Sequence, residues 1–400
     1  MGATPLLTRL YRPEEFGALA IFSAAYAILV GLMTMKYDLA IILPRDLAKA
    51  KDVTVLTLTV SLVLSLILLI FFGARHLSLG APEHWYFFLL PLATFLGAAY
   101  TCAQQWAARA SDYRRFARSQ VVTALVNVSA SLMLAIMTEK LFGSLVVGLV
   151  SGLAAGLIYF SPKFMPTFLG YWRTTTCRLS RLVSTALEFK RFPMYVLPAA
   201  LLATLGLNAP PFLFQSMFSL QDVGFYAIAN RFLMAPSALV GGAVAEAFRA
   251  EFVDRQKQGF ESAAFFRTTL RKLVIVGLPI FGGFYLIAPS LFVLLFGETY
   301  GDSGVLARYL CVGAFAQFIS QPFHYIFVAT NHVRLGLLVQ SALTGLPLLA
   351  IILGGLNGEM QNAVFLAALA TFVLSAILVG LAYRCCKQSD SSILKCACDV

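Results

Sequence analysis

A chain of 400 residues that is 59% hydrophobic and 12% charged, with a mean hydropathy of +0.81, has too few polar side chains to clothe a water-soluble globule of 43.5 kDa. That excludes a soluble fold and assigns the chain to the all-α polytopic membrane class. The formal net charge of +11 then has to be explained by where the cations fall.

A helix needs about 20 apolar residues to cross ~30 Å of hydrocarbon. Runs of that kind predict eleven spans, near 16–43, 53–72, 84–107, 118–137, 140–161, 193–214, 222–248, 270–296, 304–329, 335–355 and 362–383. The runs are continuously apolar instead of alternating, which favours helices over barrel strands.

The first span opens with LYRPEEFGALAI (10–21), and the same order of residue types returns 207 residues later as MFSLQDVGFYAI (217–228). Gly17/Gly224, Ala20/Ala227 and Ile21/Ile228 are identical in the pair. A second pair, ARASDYR (108–114) and VATNHVR (328–334), repeats at an offset of 220. An even number of spans separates the first pair, so the halves are parallel repeats, an arrangement expected of a transporter whose substrate site lies near the midplane between them. The turns YRPEEFG and SLQDVG are expected to form the outer rims. A spanning run precedes the motif in the second copy and none precedes it in the first, so the expectation is twelve helices with the first missing from the front.

These features give an N-terminal lobe at 1–160, a linker at 161–192, a C-terminal six-helix lobe at 193–384 and a tail at 385–400. The linker opens with Pro162 and Pro166 and sets Leu179, Leu182, Val183 and Leu187 among Arg178, Arg181, Lys190 and Arg191. It is expected to carry an amphipathic helix on the cytoplasmic membrane surface.

The cations explain the charge. Of the 30 lysines and arginines, 23 fall in loops at 45–51, 109–118, 163–191, 249–272 and 334 and at the C-terminal end from Arg384; Lys36, Arg231 and Arg308 fall within spans, and the opposite side has Arg9, Arg12, Arg75 and Lys140. This positive-inside bias puts the C-terminus in the cytoplasm and leaves no case for a nucleic-acid partner. The seven cysteines, with Cys385, Cys386, Cys396 and Cys398 on the tail, lack zinc-ligand spacing and read as reduced, unligated thiols. No phosphate-binding loop and no HExxH motif is present, so no catalytic residue, metal or cofactor is assigned.

A polar headgroup crossing hydrocarbon needs a polar, cationic path. Lys36 is placed about 12 Å inside Pro44 if the span is one helix. It can face a cavity, snorkel to the interface, or pair locally with Asp38. Arg231, beside Asn230, lies too deep to snorkel, whereas Arg308 is placed as an interfacial anchor. Gln317, Gln321 and His324 share one face at i, i+4 and i+7, and Thr101, Gln104 and Gln105 occupy corresponding places in the first half. These groups either hydrogen-bond a sugar or tie helices together. Gly148, Gly152 and Gly156 read as a packing seam, with Asn127 as an interhelical contact.

TPLLTRLYRPEEFGALAIFSA, TMKYDLAIILP, EFKRFPMYVLPAALL, FSLQDVGFYAIANRFLMAPSALVGGAVAEAF and LFGETYGDSG, in that order over residues 4–383, resemble the bacterial polysaccharide (Wzx-type) flippases of the multidrug/oligosaccharidyl-lipid/polysaccharide exporter superfamily. The resemblance implies two six-helix lobes in the bacterial inner membrane. They would flip a polyprenyl-diphosphate-linked oligosaccharide for surface polysaccharide biosynthesis, alongside glycosyltransferases and a polysaccharide polymerase. The family's basic–Tyr–acid motif is matched at Lys36, Tyr37 and Asp38. Two alternatives stay open. A cation-coupled multidrug exporter of the same superfamily would use Asp38 as its coupling carboxylate, and a polytopic polymerase or ligase would need longer outer loops than this chain has.

Overall fold

In the computed structural model, which describes residues 4–79, 85–137, 142–174, 179–236, 241–257, 262–356 and 358–398, the apolar runs fold as helices and no strand occurs among the described residues. The first half comprises α1 (Thr4–Leu10), α2 (Pro13–Met33), α3 (Leu47–Leu79), α4 (Leu90–Arg109), α5 (Tyr113–Met137), α6 (Ser144–Thr174), α7 (Leu179–Glu188) and α8 (Leu197–Asn208). The second comprises α9 (Pro210–Met217), α10 (Leu220–Pro236), α11 (Gly242–Lys257), α12 (Ser262–Phe296), α13 (Gly301–Ser320), α14 (Ile326–Ala329), α15 (Val333–Gly355) and α16 (Met360–Cys398).

Eight of the described helices are long and apolar enough to cross a membrane, or nine if a broken pair counts as one span. They coincide with expected spans. The other three expected runs are the shorter apolar helix Ser144–Phe160, the broken pair at 192–217, and the run that holds α10 (Leu220–Pro236) and α11 (Gly242–Lys257). Ile70, Ile136, Leu207, Leu286 and Leu294 are each at least 70% exposed, a surface that only lipid would solvate favourably.

Contacts divide the chain into two units, Leu10–Asn208 and Ala209–Val400 with Met1–Arg9. In the first, α4 is packed by α2, α3 and α6, and α5 lies along α6. The glycine seam is structural, as its spacing suggested. A Cβ on Gly148 would stand 2.9 Å from the Asn127 carbonyl, and one on Gly152 2.7 Å from the Thr123 carbonyl, so the α5 backbone occupies the room a side chain would need. α8, expected at the head of the second bundle, packs on α2 in this unit. Pro210 and Pro211 break the helix after it, and α9 packs with α10 and α15 in the second unit.

The repeat is visible in the backbone. α2 and α10 begin at Pro13 and Leu220, preserving the offset of 207. Ser111 (φ 55°) and Asn331 (φ 60°) occupy the same left-handed turn at the offset of 220, between helices ending at Arg109 and Ala329. Their side chains are short and polar, the type that tolerates this region best after glycine.

Other expectations change. α6 runs on through Pro162 and Pro166 to Thr174, so the first part of the expected linker is helical. α16 likewise continues past Gln388, and Cys385 and Cys386 are buried in the core with Phe266, Phe323 and Ile326 instead of lying free on a tail. Cys177, Cys396 and Cys398 lie outside the described residues and side chains.

Candidate functional site

The expected span 16–43 is not one helix. α2 stops at Met33, and Met35 (φ 50°) and Lys36 (φ 58°) follow in the left-handed region before a 3-10 segment, Tyr37–Ile42. Two consecutive left-handed residues that are not glycine are costly, by roughly 1–2 kcal/mol each, and persist where the surroundings impose them. Here the surroundings are well defined. Ser61 of α3 donates to the Met33 carbonyl at 3.0 Å, closing the helix end. Tyr37, Ala40 and Ile41 pack with Val53, Leu56 and Cys102. Arg109 of α4 donates to the carbonyls of Ile41 (3.0 Å), Ile42 (3.2 Å) and Arg45 (3.2 Å), capping the far end of the segment.

The break sets the chemistry. Lys36 is half-buried and lies back along α2, its Cε 3.7 Å from where a Gly31 Cβ would stand. The depth reckoned from a continuous helix therefore does not apply to it. Nor does the structure show the local ion pair with Asp38: the described ion pairs are Lys49–Glu188, Arg249–Glu246 and Arg255–Glu251. Asp38 is 3% exposed, and its Oδ1 has no hydrogen-bond donor among the described residues.

In the second unit, Arg231 is exposed on α10 opposite the buried Tyr226, Ala229 and Leu233, and it has no hydrogen-bond or ion-pair partner among the described residues. Asn230 beside it is half-buried. α13 contacts α10 and is covered along most of its length. Between Ser303 and Phe327 the exposed side chains are Gln317 and Gln321 alone. Pro322 then turns the helix into the 3-10 segment Gln321–Tyr325, because it removes a backbone donor. The Gln321 amide oxygen lies against Gly241, at the start of α11, where a Cβ would collide with it. His324 and its first-half counterpart Gln104 are half-buried. The structure thus brings Gln317 and Gln321 onto one exposed face and leaves His324 partly covered beyond the bend.

Arg308 is explained structurally. Pro289 in α12 has no N–H to give the Tyr285 carbonyl four residues back, and Arg308 Nε donates to that oxygen at 3.2 Å with its guanidinium 5.6 Å from the Tyr285 ring.

Two features escaped the sequence reading. The Arg109 clamp looked like one more cation of a cytoplasmic loop. The motif YRPEEFG, expected to form an outer rim, also makes a clasp inside its own unit. Glu15 is 6% exposed and accepts from the Gly143 N–H at 2.8 Å. Tyr11 donates to the Ser131 carbonyl at 2.6 Å and accepts from Ser144 at 2.9 Å. Burial raises the Tyr11 hydroxyl above its ordinary pKa, which keeps it neutral. Gly143 has φ 91°, and Tyr86 packs over it so closely that a Cβ would lie 3.0 Å from the ring. In the second copy Asp222 caps α10 instead, accepting from the Ser219 N–H (3.1 Å) and hydroxyl (2.7 Å).

Solved structures of membrane transporters share this repeated all-helical fold. An inward-facing multidrug resistance MATE family transporter matches at a TM-score of 0.69 and 15% identity, covering 99% of this chain and 96% of that one. The lipid II flippase MurJ, in an inward closed conformation, also matches at 0.69, with 10% identity and coverage of 98% and 89%. The family described as "Polysaccharide biosynthesis protein" matches residues 6–304, and the chain belongs to that family. The succinoglycan biosynthesis transport protein ExoT of Rhizobium meliloti is 25% identical over 314 residues, 74% of this chain and 58% of that protein's length.

Proposed function

We propose that this chain moves a polyprenyl-diphosphate-linked oligosaccharide across the bacterial inner membrane for surface polysaccharide biosynthesis, with its C-terminus in the cytoplasm. Glycosyltransferases would supply the substrate and a polysaccharide polymerase would consume it. The reading is carried by Gln317 and Gln321, the two exposed side chains between Ser303 and Phe327 on one face of this span. Stripping water from a sugar hydroxyl costs several kcal/mol in an apolar medium, and an amide, both donor and acceptor, replaces that water. Arg231 supplies a cation with no partner among the described residues, suited to a diphosphate, and in the other unit Lys36 supplies one at the helix break. Family membership and the similarity to a succinoglycan transport protein support the substrate class. Asn230, Gln104 and His324 complete the polar set as lesser contacts.

The test is export in a strain lacking its own flippase. Arg231→Ala and the double variant Gln317→Leu/Gln321→Leu are expected to abolish surface polysaccharide while the protein stays inserted, with lipid-linked oligosaccharide accumulating inside. Arg231→Lys should keep part of the activity, since charge matters before fork geometry. Normal export by both would overturn the reading. One observation favours a second reading. The donorless Oδ1 of Asp38 suits a proton or a coupling cation, as a cation-coupled multidrug exporter would need. Asp38→Asn would then abolish drug efflux and spare polysaccharide.

A further inference from the structure

The linker helix α7 has more apolar surface than the protein covers. At 100° per residue, Leu182, Thr185 and Ala186 form one face, and this face packs on α3 and the 3-10 segment; the Tyr37 hydroxyl reaches the Ala186 carbonyl at 3.5 Å and Lys49 pairs with Glu188 at 2.6 Å. Val183 (49% exposed) and Leu187 (62% exposed) extend the apolar arc beyond it, and Ser180, Arg181, Ser184 and Glu188 fill the remainder. The same end of the unit exposes Leu43, Leu47, Met194 and Tyr195. Arg45, Lys49, Arg181, Lys190 and Arg191 are exposed among them. Nearby, Glu188 is paired with Lys49, and Asp46 accepts from the Ala48 N–H at 3.0 Å.

We infer that the uncovered face of α7, with this basic rim, is a docking surface for the anionic phospholipids of the cytoplasmic leaflet. Ten residues, about 15 Å of helix, are too few to cross the bilayer. An apolar strip bordered by arginine and lysine is the surface that inserts to the acyl boundary while its cations meet phosphate. The charge selects the occupant: a protein partner would need a matching acidic face, whereas the leaflet supplies negative charge beside hydrocarbon. The inference stands apart from the transported substrate. One face of α7 holds the segment that carries Lys36 and Asp38, and the other rests on lipid.

The experiment uses the full chain in nanodiscs of phosphatidylcholine with or without phosphatidylglycerol. Nitroxides are placed by Val183→Cys, Leu187→Cys or Ser184→Cys, with the signal of the labelled parent subtracted. With phosphatidylglycerol present, labels at 183 and 187 should be open to oxygen and shielded from a water-soluble nickel chelate, and the label at 184 should show the reverse. Omitting phosphatidylglycerol should reopen 183 and 187 to nickel, and so should the combination Arg181→Gln, Lys190→Gln and Arg191→Gln, with the ratio of lipid-bound to free α7 falling about fivefold per cation removed. Three outcomes would each overturn the inference. Labels at 183 and 187 open to nickel like 184 would mean a face bare in water. Labels shielded from both reagents would mean a face covered by protein. Lipid immersion unchanged by phosphatidylglycerol or by the triple substitution would mean apolar contact without charge selection.

Discussion

The sharpest test of the packing is a pair of substitutions that should cancel. If Arg308 serves the Tyr285 carbonyl orphaned by Pro289, Arg308→Gln removes that donor and leaves the oxygen unpaired within a span. A hydrogen bond to a charged donor contributes ~1.5–3 kcal/mol, and the partial exposure of this one argues for the lower end. Pro289→Ala restores an N–H at the position that should bond Tyr285, so the carbonyl no longer needs the guanidinium. Arg308→Gln alone should therefore lower the melting temperature of the detergent-solubilised protein by a few degrees, and in the Pro289→Ala background by close to nothing. The coupling read from the cycle should be about 1–2 kcal/mol. Thermal stability followed by fluorescence-detected size exclusion would measure it. Equal losses in both backgrounds would show that Arg308 acts through some other contact, and the carbonyl argument would fail.

Further outcomes follow from the same geometry. Gly152→Ala should destabilise by about 1–3 kcal/mol, since its Cβ would stand 2.7 Å from the Thr123 carbonyl, whereas Gly345→Ala, with nothing within 4 Å, should be tolerated; thermal shift separates them. Ser111→Gly should stabilise by up to about 1 kcal/mol and Asn331→Gly by less, because asparagine already tolerates the left-handed region; unequal signs would count against equivalent turns. Glu15→Gln should keep the bond from Gly143 and Glu15→Ala should lose it, so protease sensitivity at the 142–144 turn should rise in the second variant alone. Arg109→Gln should loosen the 3-10 segment and speed hydrogen exchange at residues 37–43 without changing the exchange of α5.

What could be read in the sequence was whatever a periodic or covalent constraint enforces. Apolar length located the helices, and the offsets of 207 and 220 located equivalent helix starts and turns, because a repeated backbone needs repeated punctuation at Pro13/Leu220 and Ser111/Asn331. The glycine seam was legible for the same reason: a close approach leaves no other residue type at Gly148 and Gly152. What was missed depends on tertiary contact. TMKYDLAII looks like more apolar helix, and nothing local in it announces two left-handed residues; Ser61, Arg109 and the covered face of α7 impose them from distant points in the chain.

The same distinction explains why the two motif copies, alike as strings, do different work. In the first, the acid sits opposite a left-handed glycine whose N–H faces inward, so Glu15 closes a buried contact. In the second, Asp222 folds back on Ser219 and caps its own helix in the open. Residue type and spacing preserve where a helix begins, and the partner decides whether the acid is core or surface. Arg231 follows that logic too. A cation inside a span is expected to find a partner in the protein, and Arg308 does so at a carbonyl that proline left free. Arg231 finds none among the described residues, which is the ground for proposing it as the contact of a ligand that brings its own anion.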